Sequence, residues 1–139
     1  MKVEFKRNDP GKARQYFSDK LAFTTGPAEL FRYLKDGGSV TVIDVRSPEA
    51  YGKAHVPGAI NLPKEKWETE EGLCKEGLNV LYGYTQQCHL AAAAAVEFAD
   101  RGYSVMEMEG GFEAWREYNF EMELGMSPEN RWKHQAISA

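Results

Sequence analysis

The stretch that decides the fold reads Asn79-Val80-Leu81-Tyr82, then Gly83-Tyr84-Thr85-Gln86-Gln87-Cys88-His89, then Leu90-Ala91-Ala92-Ala93-Ala94-Ala95-Val96-Glu97-Phe98-Ala99. The first piece is short, mostly apolar and β-compatible, which predicts a buried strand. The last is alanine-rich, and alanine is the best helix former. The polar loop between them must turn sharply, with Gly83 at its start. A loop that feeds a helix N-terminus presents unpaired backbone N–H groups, aided by the helix dipole. Such a place binds anions and lowers the pKa of a thiol set there. Chemistry is therefore expected in this loop.

Upstream, Ser39-Val40-Thr41-Val42-Ile43-Asp44-Val45 is the clearest second strand, β-branched and bounded by glycines before and charge after. Its apolar end suits a strand covered on both faces. Asp44 and Arg46 fall where it ends, and sites in open parallel sheets form beyond the carboxyl ends of strands. Two readings are open for them, a structural ion pair tying loops together or part of a site, and the structural one is favoured. Ser47-Pro48-Glu49-Ala50-Tyr51 opens a short helix with serine as cap and proline at its first position. His55, in the turn that follows, reads as a residue holding that turn by hydrogen bonds rather than as a catalytic base. Downstream, Ser104-Val105-Met106-Glu107-Met108 alternates like a strand. Glu109-Gly110-Gly111 is a permissive loop, and Phe112-Glu113-Ala114-Trp115-Arg116-Glu117-Tyr118 closes with a helix. Glu29 to Asp36 is helical and ends at Gly37-Gly38. Alternating strands and helices predict an α/β architecture with a parallel sheet and right-handed crossovers.

The rest of the chain sets bounds. At 139 residues one domain is expected, organised as a helical extension over 1–23, a domain over 24–120 and a tail over 121–139. In the extension, Ala13, Tyr16, Phe17 and Leu21 recur at helical spacing, and Thr24-Thr25-Gly26-Pro27 breaks that helix and caps the next. Residues 64–78 suggest a short helix and a loop around Trp67, and Trp132 in the tail is a candidate to dock back. A formal net charge of −4 gives no attraction to nucleic acid or to an anionic membrane. No apolar run approaches spanning length and no signal peptide is evident. The two cysteines, Cys74 and Cys88, make neither a disulfide framework nor a metal set. A cytoplasmic protein without metal or cofactor is the expectation.

Three segments in order resemble the rhodanese-like (sulfurtransferase) single-domain family over roughly residues 24–120. Ile43-Asp44-Val45-Arg46 with Tyr51, followed by His55-Val56-Pro57-Gly58-Ala59-Ile60-Asn61-Leu62-Pro63, is similar to its N-terminal signature. The stretch from Asn79 through the alanine-rich helix to Gly102-Tyr103 is similar to its active-site segment. Glu109-Gly110-Gly111-Phe112-Glu113-Ala114-Trp115 is similar to its C-terminal signature. The resemblance implies an open, mostly five-stranded parallel sheet flanked by helices on both faces. It also implies transfer of sulfane sulfur from a small anionic donor such as thiosulfate to cyanide, a thiol or a protein thiol. The family's nucleophile is a cysteine directly after the central strand, carried as a persulfide amid the loop's backbone N–H groups.

That position here is Gly83, which has no side chain to attack with. Cys88 lies five residues on, before the helix, and is either a displaced nucleophile or a small packed apolar group. His89 beside it could help as an imidazolium. Tyr84, Thr85, Gln86, Gln87 and His89 would line the substrate loop, with Asp44, Arg46 and His55 as its structural support. The loop resembles in length those of related cell-cycle phosphatases and arsenate reductases, yet it lacks both their initial cysteine and their arginine. Without an arginine fork a dianion loses its best bidentate partner, which argues against a phosphatase. The readings left are a sulfurtransferase or persulfide carrier impaired at Gly83, a form altered at that one residue, and a non-catalytic binding or regulatory module.

Overall fold

A computed structural model describes residues 4–126. The order of elements is α1 (Pro10–Phe23), β1 (Thr24–Thr25), α2 (Pro27–Lys35), β2 (Thr41–Asp44), α3 (Pro48–Lys53), β3 (Ile60–Asn61), a 3-10 turn (Lys64–Thr69), β4 (Leu78–Tyr82), α4 (Leu90–Asp100), β5 (Ser104–Met108) and α5 (Gly111–Glu117). The strands form one five-stranded sheet in the order β1-β5-β4-β2-β3, and every pairing is parallel. The α/β architecture expected from the sequence is the one observed.

The pleat sorts the strand residues into two cores. Val42, Val80 and Tyr82 face one way and pack with Leu30 and Leu34 of α2, Tyr51 of α3, and Phe112 and Trp115 of α5. Ile43 and Leu81 face the other way, against Ala91, Ala94 and Phe98 of α4 and Trp67 of the 3-10 turn. The alanines of α4 on this side let the helix lie close to the sheet. Trp67, expected near a short helix, is its buried anchor, and its indole N–H donates to the Leu62 carbonyl at 3.1 Å.

Two readings need correction. Thr24-Thr25 does not merely break a helix. It is an edge strand, pairing Thr24 with Glu107 and Thr25 with Met108. A two-residue strand shows no periodicity, so only its partner in β5 reveals it. The cap of α2 does fall in the expected stretch, at Gly26, whose N–H donates to the Glu29 carboxylate at 3.0 Å. The strand expected over 39–45 is regular only over Thr41–Asp44, although the Val45 N–H still donates to the Tyr82 carbonyl at 3.1 Å.

No residue of α1 is buried, and Lys20 ties it to the sheet through Glu109 at 2.7 Å. After α5 the chain doubles back. The Trp115 indole N–H donates to the Glu121 carbonyl, and Glu123 exchanges two backbone hydrogen bonds of 2.9 Å with His55. The suggested docking of Trp132 lies outside the described residues.

Candidate active site

All four parallel crossovers leave the C-terminal ends of β2 and β4 side by side, with Asp44 opposite Tyr82. Asp44 is fully buried and its carboxylate is saturated. It accepts the Arg46 backbone N–H at 2.9 Å, Arg46 Nε at 3.1 Å, Arg46 Nη2 at 2.7 Å and the Tyr82 hydroxyl at 2.6 Å. Arg46 Nη2 also donates to the Ala54 carbonyl at 2.6 Å, and the Tyr82 oxygen accepts the Val56 N–H at 3.0 Å. Asn61 donates to the carbonyls of both Asp44 and Arg46. Burial works against the Arg46 charge, but its bonds to Asp44 outweigh this and push the guanidinium pKa up. Burial, then the Asp44 charge, holds the Tyr82 phenol well above its ordinary value. Asp44 and Arg46 therefore form a buried structural platform that joins the ends of β2 and β4 to the turn around Ala54. The Tyr82 phenol, which looks in the sequence like one more apolar strand residue, is its third member.

His55 is fully buried in that turn. Its ring stacks on Tyr51 at 3.7 Å between centroids, Nδ1 lies 2.8 Å from the Tyr51 carbonyl, and Nε2 lies 3.4 Å from the Glu123 carboxylate. The same carboxylate accepts the Gly58 N–H at 2.7 Å. Glu123 was not legible as a site neighbour. It stands 65 residues from Gly58 in a segment without periodicity.

Above the platform runs the loop 83–89. Its first half is clamped by α5. The Phe112 N–H donates to the Gly83 carbonyl at 2.9 Å and the Glu113 N–H to the Tyr84 carbonyl at 3.0 Å. The Gln86 side chain accepts the Gly110 N–H at 2.6 Å, and the Tyr84 hydroxyl accepts the Ser47 N–H at 3.0 Å. This clamp explains the paired glycines. Gly110 and Gly111 have φ of +85° and +63°, and a Cβ on Gly111 would stand 2.6 Å from the Tyr84 carbonyl carbon. Only glycine permits both the conformation and the approach.

Gly83 is buried and its φ is not positive. A Cβ built there meets the Ala91 backbone nitrogen at 3.6 Å, the Cys88 sulfur at 3.7 Å and the Ala91 Cβ at 3.8 Å. All three are ordinary contacts, so the position has room for a Cβ. Ala91 lies in the first turn of α4, where backbone N–H groups lack helical partners. The structure thus brings Gly83, Cys88 and the start of α4 together. Cys88 is half-buried and its N–H donates to the Thr85 carbonyl at 3.3 Å. Thr85 is half-buried, whereas Tyr84, Gln86, Gln87 and His89 are exposed. Cys74 lies away from the loop, where its backbone exchanges hydrogen bonds with the Asn79 side chain. Among the described residues no cluster of His, Cys, Asp or Glu could hold a metal ion, and no helix is long and apolar enough to cross a membrane.

A family model described as the rhodanese-like domain matches residues 27–118. The chain belongs to the rhodanese-like family. The probable adenylyltransferase/sulfurtransferase MoeZ of Mycobacterium tuberculosis is 36% identical over 96 residues, which are 66% of this chain and 24% of MoeZ. An HTH-type transcriptional regulator of the same organism is 36% identical over 90 residues, 64% of this chain and 39% of the regulator. The chain thus spans less than half the length of either of these curated relatives. Among solved structures, the BH2092 protein from Bacillus halodurans is 36% identical with a TM-score of 0.76, covering 94% of this chain and 98% of its own. A rhodanese-like domain protein from Staphylococcus aureus shares the fold at a TM-score of 0.64 and 19% identity, over 73% of this chain and 97% of its own.

Proposed function

We propose that this rhodanese-like domain handles sulfane sulfur, taking it from a thiosulfate-like donor and passing it to a thiol or cyanide acceptor, with its principal nucleophile missing at Gly83. The observation that carries the reading is the space at Gly83. It accepts a cysteine Cβ at ordinary contact distances beside the first-turn N–H groups of α4. Those donors would stabilise a thiolate or persulfide there. In the transfer step a thiolate attacks the outer sulfur of the donor. A new S–S bond forms, the donor's own S–S bond breaks, and its electron pair leaves on sulfite or a thiolate. In the chain as written the thiol next to that space is Cys88, which would carry any residual chemistry. Two free thiols, Cys74 and Cys88, suit a reducing compartment, and we place the protein in the cytoplasm on that ground.

The glycine itself favours a second reading, a module that binds or regulates without catalysis. Relatives support both, since one is named a sulfurtransferase and another a transcriptional regulator. The test is intact mass with peptide mapping after exposure to thiosulfate or to a small organic persulfide. The expected result is little or no sulfur on the chain as written, any of it on Cys88 and removable by cyanide. Gly83→Cys should load one sulfur at position 83 and turn over. A folded Gly83→Cys chain that stays inert with every donor would leave the binding module as the reading.

A further inference from the structure

We propose that the outward face of α4, together with the flank of α1 beside it, pairs with the same face of a second copy of this chain in a two-fold dimer. Surface helices normally turn polar residues to water and keep one apolar stripe for the core. α4 is apolar on both sides. Ala91, Ala94 and Phe98 pack against the sheet, while Ala92, Ala93, Val96 and Ala99 are exposed, Val96 by 73%. Only Glu97 and Asp100 in this helix are polar. Ala92, Val96 and Ala99 follow at intervals of four and three, the spacing of a seam on which another helix packs.

The apolar surface continues from α4 onto α1. A hollow of about 330 Å³ lies between them, lined by Phe23, Ala92, Val96 and Ala99 with Val105 and Met106. Tyr16 and Phe23 stand two helical turns apart on one flank of α1 and are 62% and 59% exposed. α1 lacks cover. It has no buried residue, only Ala13 and Lys20 in it are even half-buried, and a helix of its 14 residues is marginal in water without packing. The two aromatic side chains, Val96 and the exposed alanines leave on the order of 400 Å² of apolar surface open on each copy. A specific dimer at the small end of the range buries about 600 Å² per partner, a little over half of it apolar. The face is large enough to hold a second copy.

The ends of α4 say which way that copy lies. Acids favour a helix N-terminus and bases a C-terminus. α4 carries the reverse. His89 is its N-cap without a side-chain bond, its first turn has no acid, and Asp100 is its last residue with no base in that turn. The next residue, Arg101, is taken up by Glu70 and Glu97, and Asp100 has no ion pair among the described residues. An antiparallel α4 from a second copy offsets both ends. Two-fold pairing across Val96 sets each Asp100 at the N-terminus of the other helix, about one turn from its His89. The face therefore complements itself, in charge as in shape, and an isologous pair closes without further growth.

The experiment is sedimentation equilibrium of the full chain from micromolar concentration to about 0.5 mM. The expected result is a dimer that forms over this range, with no larger species. Val96→Glu, at a position too exposed to carry the fold, should leave urea unfolding unchanged. It should weaken association about tenfold or more, because two carboxylates then meet across the axis. Val96→Cys under mild oxidation should join two copies through a disulfide mapped to position 96 of both, a readout that survives if Val96→Glu misfolds. Asp100→Lys should weaken association severalfold, and adding His89→Asp should restore it. A chain that stays monomeric at the top of the range would overturn the proposal and leave the face to a foreign partner. A dimer indifferent to Val96→Glu overturns this surface, and one that the double charge reversal fails to rescue overturns the antiparallel pairing.

Discussion

The platform beneath the loop 83–89 and the loop itself are built on opposite principles. In the platform a single buried carboxylate, Asp44, accepts from Arg46 and Tyr82, and Arg46 and Tyr82 each reach on to the 54–56 turn. Its polar side chains are engaged. The loop has room for a Cβ at Gly83, and its residues Gln87 and His89 are exposed. The contrast separates a buried, fully bonded support from a loop with open space at its start. The platform's hydrogen bonds involve no side chain at position 83, so a change of residue there would leave them untouched.

Substitutions can break or sharpen that contrast. The largest stability effect is expected in the platform. Arg46→Ala strands a buried carboxylate and should cost about 3–5 kcal/mol, read from urea unfolding of the full chain. At the boundary between the two regions, Gly111→Ala forces an L residue into φ +63° and against the Tyr84 backbone. A loss of about 1–3 kcal/mol is expected, together with a displaced loop that shows as lower turnover in the Gly83→Cys background.

Tyr51 tests the support of the turn. Burial first, then the Asp44 and Glu123 charges, push its phenol up to about 12 from 10.0, and its hydroxyl donates to the Ala59 carbonyl at 2.5 Å. A raised folded-state pKa contributes stability that is present below the unfolded value and is lost as pH climbs through the folded one. The urea midpoint should therefore fall between about pH 10 and 12. Tyr51→Phe should shrink that fall at a cost of about 1 kcal/mol near neutrality. The smallest effect belongs to the loop. Gly83→Ala should stabilise by about 0.4–1 kcal/mol, because the backbone accepts it and the unfolded chain loses freedom. A melting temperature that drops on this change would mean that the space at Gly83 is not what the contact distances describe.

Much of the fold was legible in the sequence because its signals are local. The β-branched run ending at Asp44, the strand before Gly83 and the alanine-rich helix after it each carry their own propensity. The loop was legible for the same reason, since it lies between a clear strand and a clear helix. What escaped depended on contacts between distant residues. The strand Thr24–Thr25 exists only through its pairing with β5. The role of Glu123 rests on a hydrogen bond to Gly58, far back in the chain. Gly110 and Gly111 announced conformational freedom, but not that the backbone of Tyr84 and Thr85 would crowd a Cβ at Gly111. The Tyr82 hydroxyl was hidden because a tyrosine inside an apolar run looks like core.

The two edges of the sheet carry a last consequence. β1 and β3, which bound it, are each two residues long. An edge that short offers almost no free ladder for a foreign strand to extend, so the sheet is a poor template for edge-to-edge aggregation. The same short edges leave little backbone through which one copy of this chain could exchange strands with another.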